Sequence, residues 1–96
     1  MIFSRDLRAA VLNGDITLSF RLWKRPKVKV GHRYAVGDGT IEVDDIQLLP
    51  FGSISAADVR RTGERDREAL RQRAAHAGPI TEETLLYMIE FHVLPE

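Results

Sequence analysis

Side chains that could bind a polar ligand alternate with apolar ones along residues 17–23, TLSFRLW. Alternation of this kind predicts a strand, because successive side chains of a strand point to opposite faces. We expect one face to belong to the core, since it carries Leu18, Phe20 and Leu22. The other face carries two hydroxyls, a guanidinium and an indole, from Thr17, Ser19, Arg21 and Trp23. Such a set suits a polar, planar ligand bound beside the strand.

A dense group of cations follows this strand. From Ile16 to Gly37 the chain has six Lys or Arg and no Asp or Glu, although its formal net charge is +0. The cations beyond the strand are Lys24, Arg25, Lys27, Lys29 and Arg33. Such a cluster is either an ordinary solvated surface or a positive patch that attracts phosphate. We expect the second, with a nucleic acid as the partner, and keep an acidic protein as the alternative.

Arg21 and Trp23 each allow two interpretations. The guanidinium of Arg21 either pairs with a carboxylate, for which Glu42 and Glu90 are candidates, or contacts a phosphate or base through its planar set of donors. Trp23 either packs against the protein or stacks on a base, as aromatic side chains do in RNA-binding proteins. Its shared strand face with Arg21 favours stacking.

Length and composition predict one domain over residues 1–96. No apolar run approaches the roughly 20 residues that a membrane-spanning helix needs. The N-terminal residues carry charges within their apolar part, which is unlike a secretory signal, and the chain has no cysteine; we therefore expect a cytoplasmic protein without disulfides. Its histidines, His32, His76 and His92, lack ligand-type spacing, so neither a metal nor another cofactor is expected. The oligomeric state is left open.

The remaining pattern predicts four strands and three helices. The strands are Thr17–Trp23, Val30–Val36, Thr40–Leu49 and Leu85–Leu94. The helices are an N-terminal one between a Ser4 cap and Gly14, then Ala56–Arg61 and Glu64–Ala77. Apolar parity changes within the third strand, which predicts a β-bulge near Asp44 and Asp45. Because a small open sheet exposes its edges, we expect an α+β fold whose strands close into a small barrel.

The stretch from Gly14 to Arg21, GDITLSFR, resembles the hallmark of ASCH domains, which belong to the PUA-like β-barrels. That hallmark is Gly-x-Lys-x-x-Thr-x-Arg after a first helix. Gly14 and Arg21 match it, and Ser19 conservatively replaces its threonine. Ile16 stands where the family has lysine. Two later segments, Thr40–Val43 and Tyr87–Phe91, are similar to strands of the family at the expected spacing, so the resemblance extends over essentially the whole chain.

The resemblance implies an RNA- or nucleotide-binding module whose ligand lies beside the arginine-bearing strand. Some relatives are small amidohydrolases that remove the acetyl group of N4-acetylcytidine with the lysine, the threonine and a glutamate. Here the lysine position is Ile16, and the glutamate position falls near Thr62, with Glu64 two residues later. Only the hydroxyl of Ser19 remains, so no catalytic residue is assigned. A hydrolase of this fold, either the amidohydrolase or a ribonuclease using Ser19 and Arg21, stays an alternative.

Overall fold

Four strands and three α-helices make up the described part of the chain. The computed structural model describes residues 3–75 and 78–95. In chain order the elements are α1 (Arg5–Leu12), β1 (Leu18–Arg21), β2 (Arg33–Val36), β3 (Gly39–Pro50), a 3-10 turn (Phe51–Ser53), α2 (Ala56–Arg61), α3 (Arg67–Ala74) and β4 (Leu85–Val93). This order agrees with the predicted one, whereas several boundaries differ.

The helix boundaries follow from local capping. Ser4 occupies the N-cap of α1, but its side chain makes no capping hydrogen bond. The α2 helix has the predicted bounds because the Oγ of Ser55 accepts a hydrogen bond from the backbone N–H of Asp58. The predicted start of the third helix at Glu64 is wrong. The side chain of Asp66 accepts from the N–H of Ala69 at 2.8 Å and begins α3 three residues later.

The predicted end of that third helix, at Ala77, lies outside the described residues. Because α3 begins at Arg67, Glu64 belongs to the segment between α2 and α3. This segment begins at Gly63, which has a φ of +84°. A left-handed residue of this kind ends a helix and redirects the chain.

The strands form one antiparallel sheet in the order β1-β4-β3-β2. The prediction of a closed barrel is wrong, since β1 and β2 lie at opposite edges and do not pair with each other. Closure requires enough strands, tilted and staggered in register, for the two edges to meet, and this sheet has four strands, with edge strands of four residues each. The confirmed part is an α+β fold with four antiparallel strands.

Both faces of the open sheet are covered without closure. On one face Leu18 and Phe20 pack with Leu86, Val59 of α2 and Leu70 of α3. The predicted apolar face of the first strand is therefore confirmed as core. Alternation along β4 places its odd-numbered residues on the other face, where α1 and the loop after β1 pack. The side chains that make these contacts are Phe3, Val11, Ile41 and Phe91 in one cluster, and Val28, Val43 and Ile89 in another.

The predicted β-bulge is present. The register between β3 and β4 shifts between Val43, which lies opposite Phe91, and Asp45, which lies opposite Glu90. Asp44 is thus the additional residue. The shift keeps Val43 and Ile46 on the same covered face of the sheet even though their sequence parity differs.

The first two strands are shorter than predicted. β1 ends at Arg21, so Leu22 and Trp23 have already left the sheet. β2 begins at Arg33, because the preceding residues form a loop that places Val28 against the core and leaves Val30 54% exposed. Among the described residues no helix has the length and apolarity needed to cross a membrane.

Gly63 provides a test of the segment that carries Glu64. A Cβ built there would lie 2.6 Å from the Cδ1 of the buried Ile16, and the φ of +84° adds strain for any other residue. We expect Gly63→Ala to lower the free energy of unfolding by about 1–2 kcal/mol for the left-handed backbone and by about 1–3 kcal/mol more for overpacking. Urea denaturation measures the total decrease in the free energy of unfolding.

Gly31→Ala is the matched control. Gly31 has a similar φ of +81°, but a Cβ there would meet no described atom within 4 Å. It should therefore show the backbone cost alone. Equal decreases for the two variants would mean that Ile16 can move aside, which contradicts a tightly packed junction between β1 and the α2–α3 segment.

Candidate functional site

A cleft of about 290 Å³ lies along β1. The strand and the two residues after it contribute six consecutive lining residues, 18–23. The others come from the start of the chain and α1, from the loop after β1, from the α2–α3 segment and from α3: Phe3, Ser4, Leu7, Lys27, Thr62, Glu64, Leu70, Arg73 and Ala74. Small-molecule sites are typically concave and largely apolar, with a few polar groups at fixed positions. This cleft is concave and combines apolar side chains with the polar groups of Ser19, Arg21, Glu64 and Arg73.

Arg21 is a partly buried cation of the cleft. Its Nε donates a hydrogen bond to the Oγ of Ser19 at 2.7 Å. Its guanidinium carbon lies 5.0 Å from the ring centroid of Phe3 and 5.9 Å from that of Trp23. Burial lowers the pKa of Arg21 from its ordinary value by desolvation, although an arginine remains charged. Among the described residues no carboxylate pairs with this guanidinium.

The carboxylates that the sequence offered to Arg21 have other partners. Glu42 accepts from the Nε of Arg33 at 3.2 Å. Glu90 accepts from Arg61 at 2.7 Å, and the Nε of Arg61 also donates to the Oγ1 of Thr17 at 2.9 Å. Among the described residues, Arg21 therefore has no carboxylate partner, so the first interpretation of Arg21 is not observed.

Glu64 brings a negative charge into the same cleft. Its side chain is only 8% exposed and accepts a hydrogen bond from the Nε of Arg73 in α3. Arg73 also donates to the carboxylate of Asp6 in α1, at 3.0 Å. The hydrogen bond from Arg73 lowers the pKa of Asp6 from its ordinary value, and the bond to Asp6 is the main cause that raises the pKa of Arg73. Arg73 thus links α1, α3 and the residue that follows Gly63.

The predicted site residues separate into two groups. Ser19, Arg21, Trp23 and Lys27 line the cleft, and the Nζ of Lys27 lies 5.9 Å from the ring centroid of Trp23. Trp23 is also 6.3 Å from the ring of Tyr87, so it both packs and borders the cleft. The others lie outside the lining: Thr17, which bonds Arg61, the exposed Lys24, Arg25 and Lys29, and Arg33, which bonds Glu42.

Two lining residues are not identifiable from the sequence pattern. It indicates Phe3 only as an N-terminal apolar residue, and Arg73 only as part of a salt-bridged helix surface. Arg73 is separated in sequence from Asp6 by 67 residues and from Glu64 by nine, and no local pattern indicates such distant contacts. Only the family resemblance pointed towards Glu64, because it places the family's glutamate near Thr62. Thr62 and Glu64 both line the cleft.

Ile16 is 2% exposed and packs with Phe3, Val11 and Phe91. It does not line the cleft. The position at which the resembled family has a lysine is therefore filled by an aliphatic core side chain. Position 16 therefore supplies no ammonium group that could act on the hydroxyl of Ser19.

Comparison with known proteins identifies the fold. No protein-family model and no curated protein matches the chain. An ASCH domain from Lactobacillus crispatus superposes with a TM-score of 0.72 and 22% identity, over 92% of this chain and 70% of the other. A protein of the family DUF984 from Enterococcus faecalis matches with a TM-score of 0.73 and 15% identity, over 93% and 67%. The chain has an ASCH-like fold, which confirms the predicted resemblance at that level.

A second group of titratable side chains lies beside the β-bulge. The Nδ1 of His92 is 2.9 Å from both carboxylate oxygens of Asp44, and its Nε2 is 3.9 Å from Glu42. Ligand-type atoms of these three residues lie within 4.8 Å of one another. The contacts are those of an acid–histidine pair, since Nδ1 faces Asp44 while Arg33 bonds Glu42. His32 is exposed and belongs to no such group, and His76 lies outside the described residues.

The hydrogen bond that His92 donates to the carboxylate of Asp44 raises the pKa of His92 above its ordinary value of 6.5, with smaller contributions from the charges of Asp44 and Glu42. A histidine whose pKa is higher in the folded state stabilises the fold fully below the unfolded-state pKa, and this stabilisation disappears as pH rises through the folded-state pKa. We expect the wild type to have a higher free energy of unfolding than His92→Gln. This difference should be larger at about pH 5.5 than at about pH 8.5.

Urea denaturation at the two pH values measures this difference, and an NMR titration of the His92 ring gives the folded-state pKa directly. Asp44→Asn should lower that pKa, because it removes the main cause of the shift. A His92 midpoint below 6.5 in the wild type would contradict the pairing.

Proposed function

We propose that the chain binds single-stranded RNA and holds one of its nucleotides in the cleft along β1. In this proposal Arg21 contacts a phosphate, Trp23 supports a base, and Lys27 adds positive charge at the cleft. The observation that carries the proposal is the guanidinium of Arg21, which lies partly buried in the cleft with no carboxylate partner among the described residues.

A charge that is removed from water is costly unless it is paired. The Ser19 hydroxyl and two aromatic rings hold the Arg21 guanidinium in position, but none of them carries a negative charge. An anionic ligand would compensate the lost hydration. Phosphate suits a guanidinium particularly well, because its oxygens match the planar set of donors.

The surroundings favour a nucleotide over a simple anion. Phe3, Trp23 and Leu22 supply flat or apolar surface in the cleft, and base–aromatic stacking tolerates any sequence. Lys24, Arg25 and Lys29 are exposed near Lys27 in the chain, where they would attract a phosphate backbone. The ASCH-like fold agrees with the RNA-binding role that the sequence resemblance implies. An acidic protein as partner remains the alternative that the same positive charge would support.

The first prediction compares two arginines. Arg21→Ala should weaken binding to a labelled single-stranded RNA by at least about tenfold, since a charge-assisted hydrogen bond contributes about 1.5–3 kcal/mol. Arg33→Ala is the control, because Arg33 is exposed, lies outside the cleft and already pairs with Glu42. Fluorescence anisotropy measures the affinities, and circular dichroism checks that each variant is folded.

The salt dependence in the same assay separates the roles of neighbouring residues. Lys27→Ala should reduce the log–log salt slope by about 0.7 for each single-strand phosphate that the lysine no longer neutralises. Trp23→Ala should cost about 1–3 kcal/mol with little change in slope. If the folded wild type binds no RNA at low salt, the proposal fails and an acidic protein becomes the better candidate. Binding that is indifferent to Arg21 would place the RNA elsewhere.

A further prediction concerns catalysis. We expect no appreciable hydrolysis of N4-acetylcytidine, because Ile16 is buried in the core, Glu64 is bonded to Arg73, and the Ser19 hydroxyl accepts from a cation. A hydroxyl nucleophile needs a nearby base, and this geometry assigns none. Chromatographic detection of released cytidine tests the expectation. Turnover that is abolished by Ser19→Ala would contradict it and support the amidohydrolase.

A further inference from the structure

The cleft contacts β1 from its edge. Side chains of a strand point alternately to opposite faces, so a pocket on one face of the sheet would contact every second residue. Here the lining includes six consecutive residues, 18–23, and β1 accounts for the first four. β1 is also an edge strand, since its only partner in the described sheet is β4. The cleft must therefore face the backbone of β1 where no neighbouring strand covers it.

The register of β1 indicates which backbone groups face the cleft. The N–H of Phe91 donates to the C=O of Thr17 at 3.0 Å, so this carbonyl faces β4, whereas the N–H of Thr17 donates to the C=O of Arg61. Hydrogen-bonded and non-hydrogen-bonded pairs alternate along an antiparallel ladder. Ser19, opposite Ile89, is therefore bonded to β4. Leu18 and Phe20 belong to the other kind of pair, and their N–H and C=O groups point away from β4, towards the cleft.

These outward groups have no partner among the described residues. No turn, loop or side-chain hydrogen bond of the described chain involves the N–H or C=O of Leu18 or Phe20. Backbone groups removed from water are paired in nearly all folded proteins. A donor and an acceptor from the same residue thus stand side by side in the cleft, next to the Arg21 guanidinium and the Trp23 indole.

We propose that the backbone N–H and C=O of Phe20 bind the Watson–Crick edge of the nucleobase whose phosphate contacts Arg21. This inference rests on the proposed function and adds how the base is recognised. Every nucleobase has a neighbouring donor and acceptor on that edge, and RNA-binding proteins bind the edges of unstacked bases in this way. In a duplex the same edge is already paired, so the backbone of β1 would select single-stranded RNA.

A nucleobase fits the observations better than an added peptide strand. The cleft is about 290 Å³ and is bounded by α1 and α3 residues as well as β1, whereas a peptide strand needs an open edge along several residues. The β1 edge offers only the four residues Leu18–Arg21. The cation beside this edge, Arg21, also calls for an anion, which a nucleotide supplies.

Methylated bases test the recognition of the edge. UMP is compared with N3-methyl-UMP, and GMP with N1-methyl-GMP, because each methyl group replaces the donor hydrogen of the base edge without adding charge. Ribose 5-phosphate is the control that lacks a base. We expect the unmethylated nucleotides to bind more tightly than ribose 5-phosphate, and methylation to weaken binding at least tenfold in the better of the two pairs.

Amide hydrogen exchange provides the second measurement. In the free protein the amide of Phe20 should exchange faster than that of Ser19, which is bonded to β4. Saturating single-stranded RNA should slow exchange of the Phe20 amide at least tenfold and leave the Ser19 amide nearly unchanged. Because neither Leu18 nor Phe20 is altered, the buried side chains that they contribute to the core stay intact.

The outcomes distinguish this inference from the proposed function. RNA that binds through Arg21 without protecting the Phe20 amide would overturn the inference and leave the function in place. Methylated and unmethylated nucleotides of equal affinity would do the same, as would ribose 5-phosphate that binds as tightly as UMP and GMP. Absence of binding by RNA and by every nucleotide would overturn both.

Discussion

The one-sided pairing of β1 determines where the cleft lies in this structure. β1 is bonded to β4 on one side and faces a cleft on the other, so its backbone and its side chains reach the same space. Exposed strand edges are usually a liability, because they pair with other chains. Here residues of α1 and α3 line the same cleft and leave little room for another strand to pair with the edge. The even-numbered residues Leu18 and Phe20 meanwhile anchor the strand in the core.

Four arginines of the fold differ in whether a carboxylate neutralises them, and Arg21 is the exception. Arg33 pairs with Glu42, Arg61 with Glu90, and Arg73 bonds Glu64 in the cleft. Each of these guanidiniums compensates a carboxylate and thereby joins two parts of the fold. Arg21 alone among these four has no such carboxylate, although burial already lowers its pKa by desolvation. The same comparison explains why a net charge of +0 says little about binding, since the unpaired positive charge is local.

Sequence pattern was sufficient for the parts of the fold that depend on neighbouring residues. The order of elements, the bounds of α2, the bulge at Asp44 and the core face of β1 follow from capping and from period-two alternation. The predicted barrel was wrong because closure depends on whether two edge strands meet. That depends on the number, tilt and stagger of the strands across the whole sheet. The residues around Arg33 and Leu18 carry no local pattern that identifies β2 and β1 as the edge strands.

The sequence by itself determined that Ser19 and Arg21 share one strand face and that Trp23 and a group of cations follow them. The tertiary structure determined which other residues line the cleft beside these side chains. Arg73 approaches Glu64 only because α3 begins at the Asp66 cap and packs against β1, and Arg21 lacks a carboxylate only because Glu90 is bonded by Arg61. Local periodicity fixes the direction of a side chain relative to its own strand. Its partners depend on long-range packing, which the pattern within one segment does not encode.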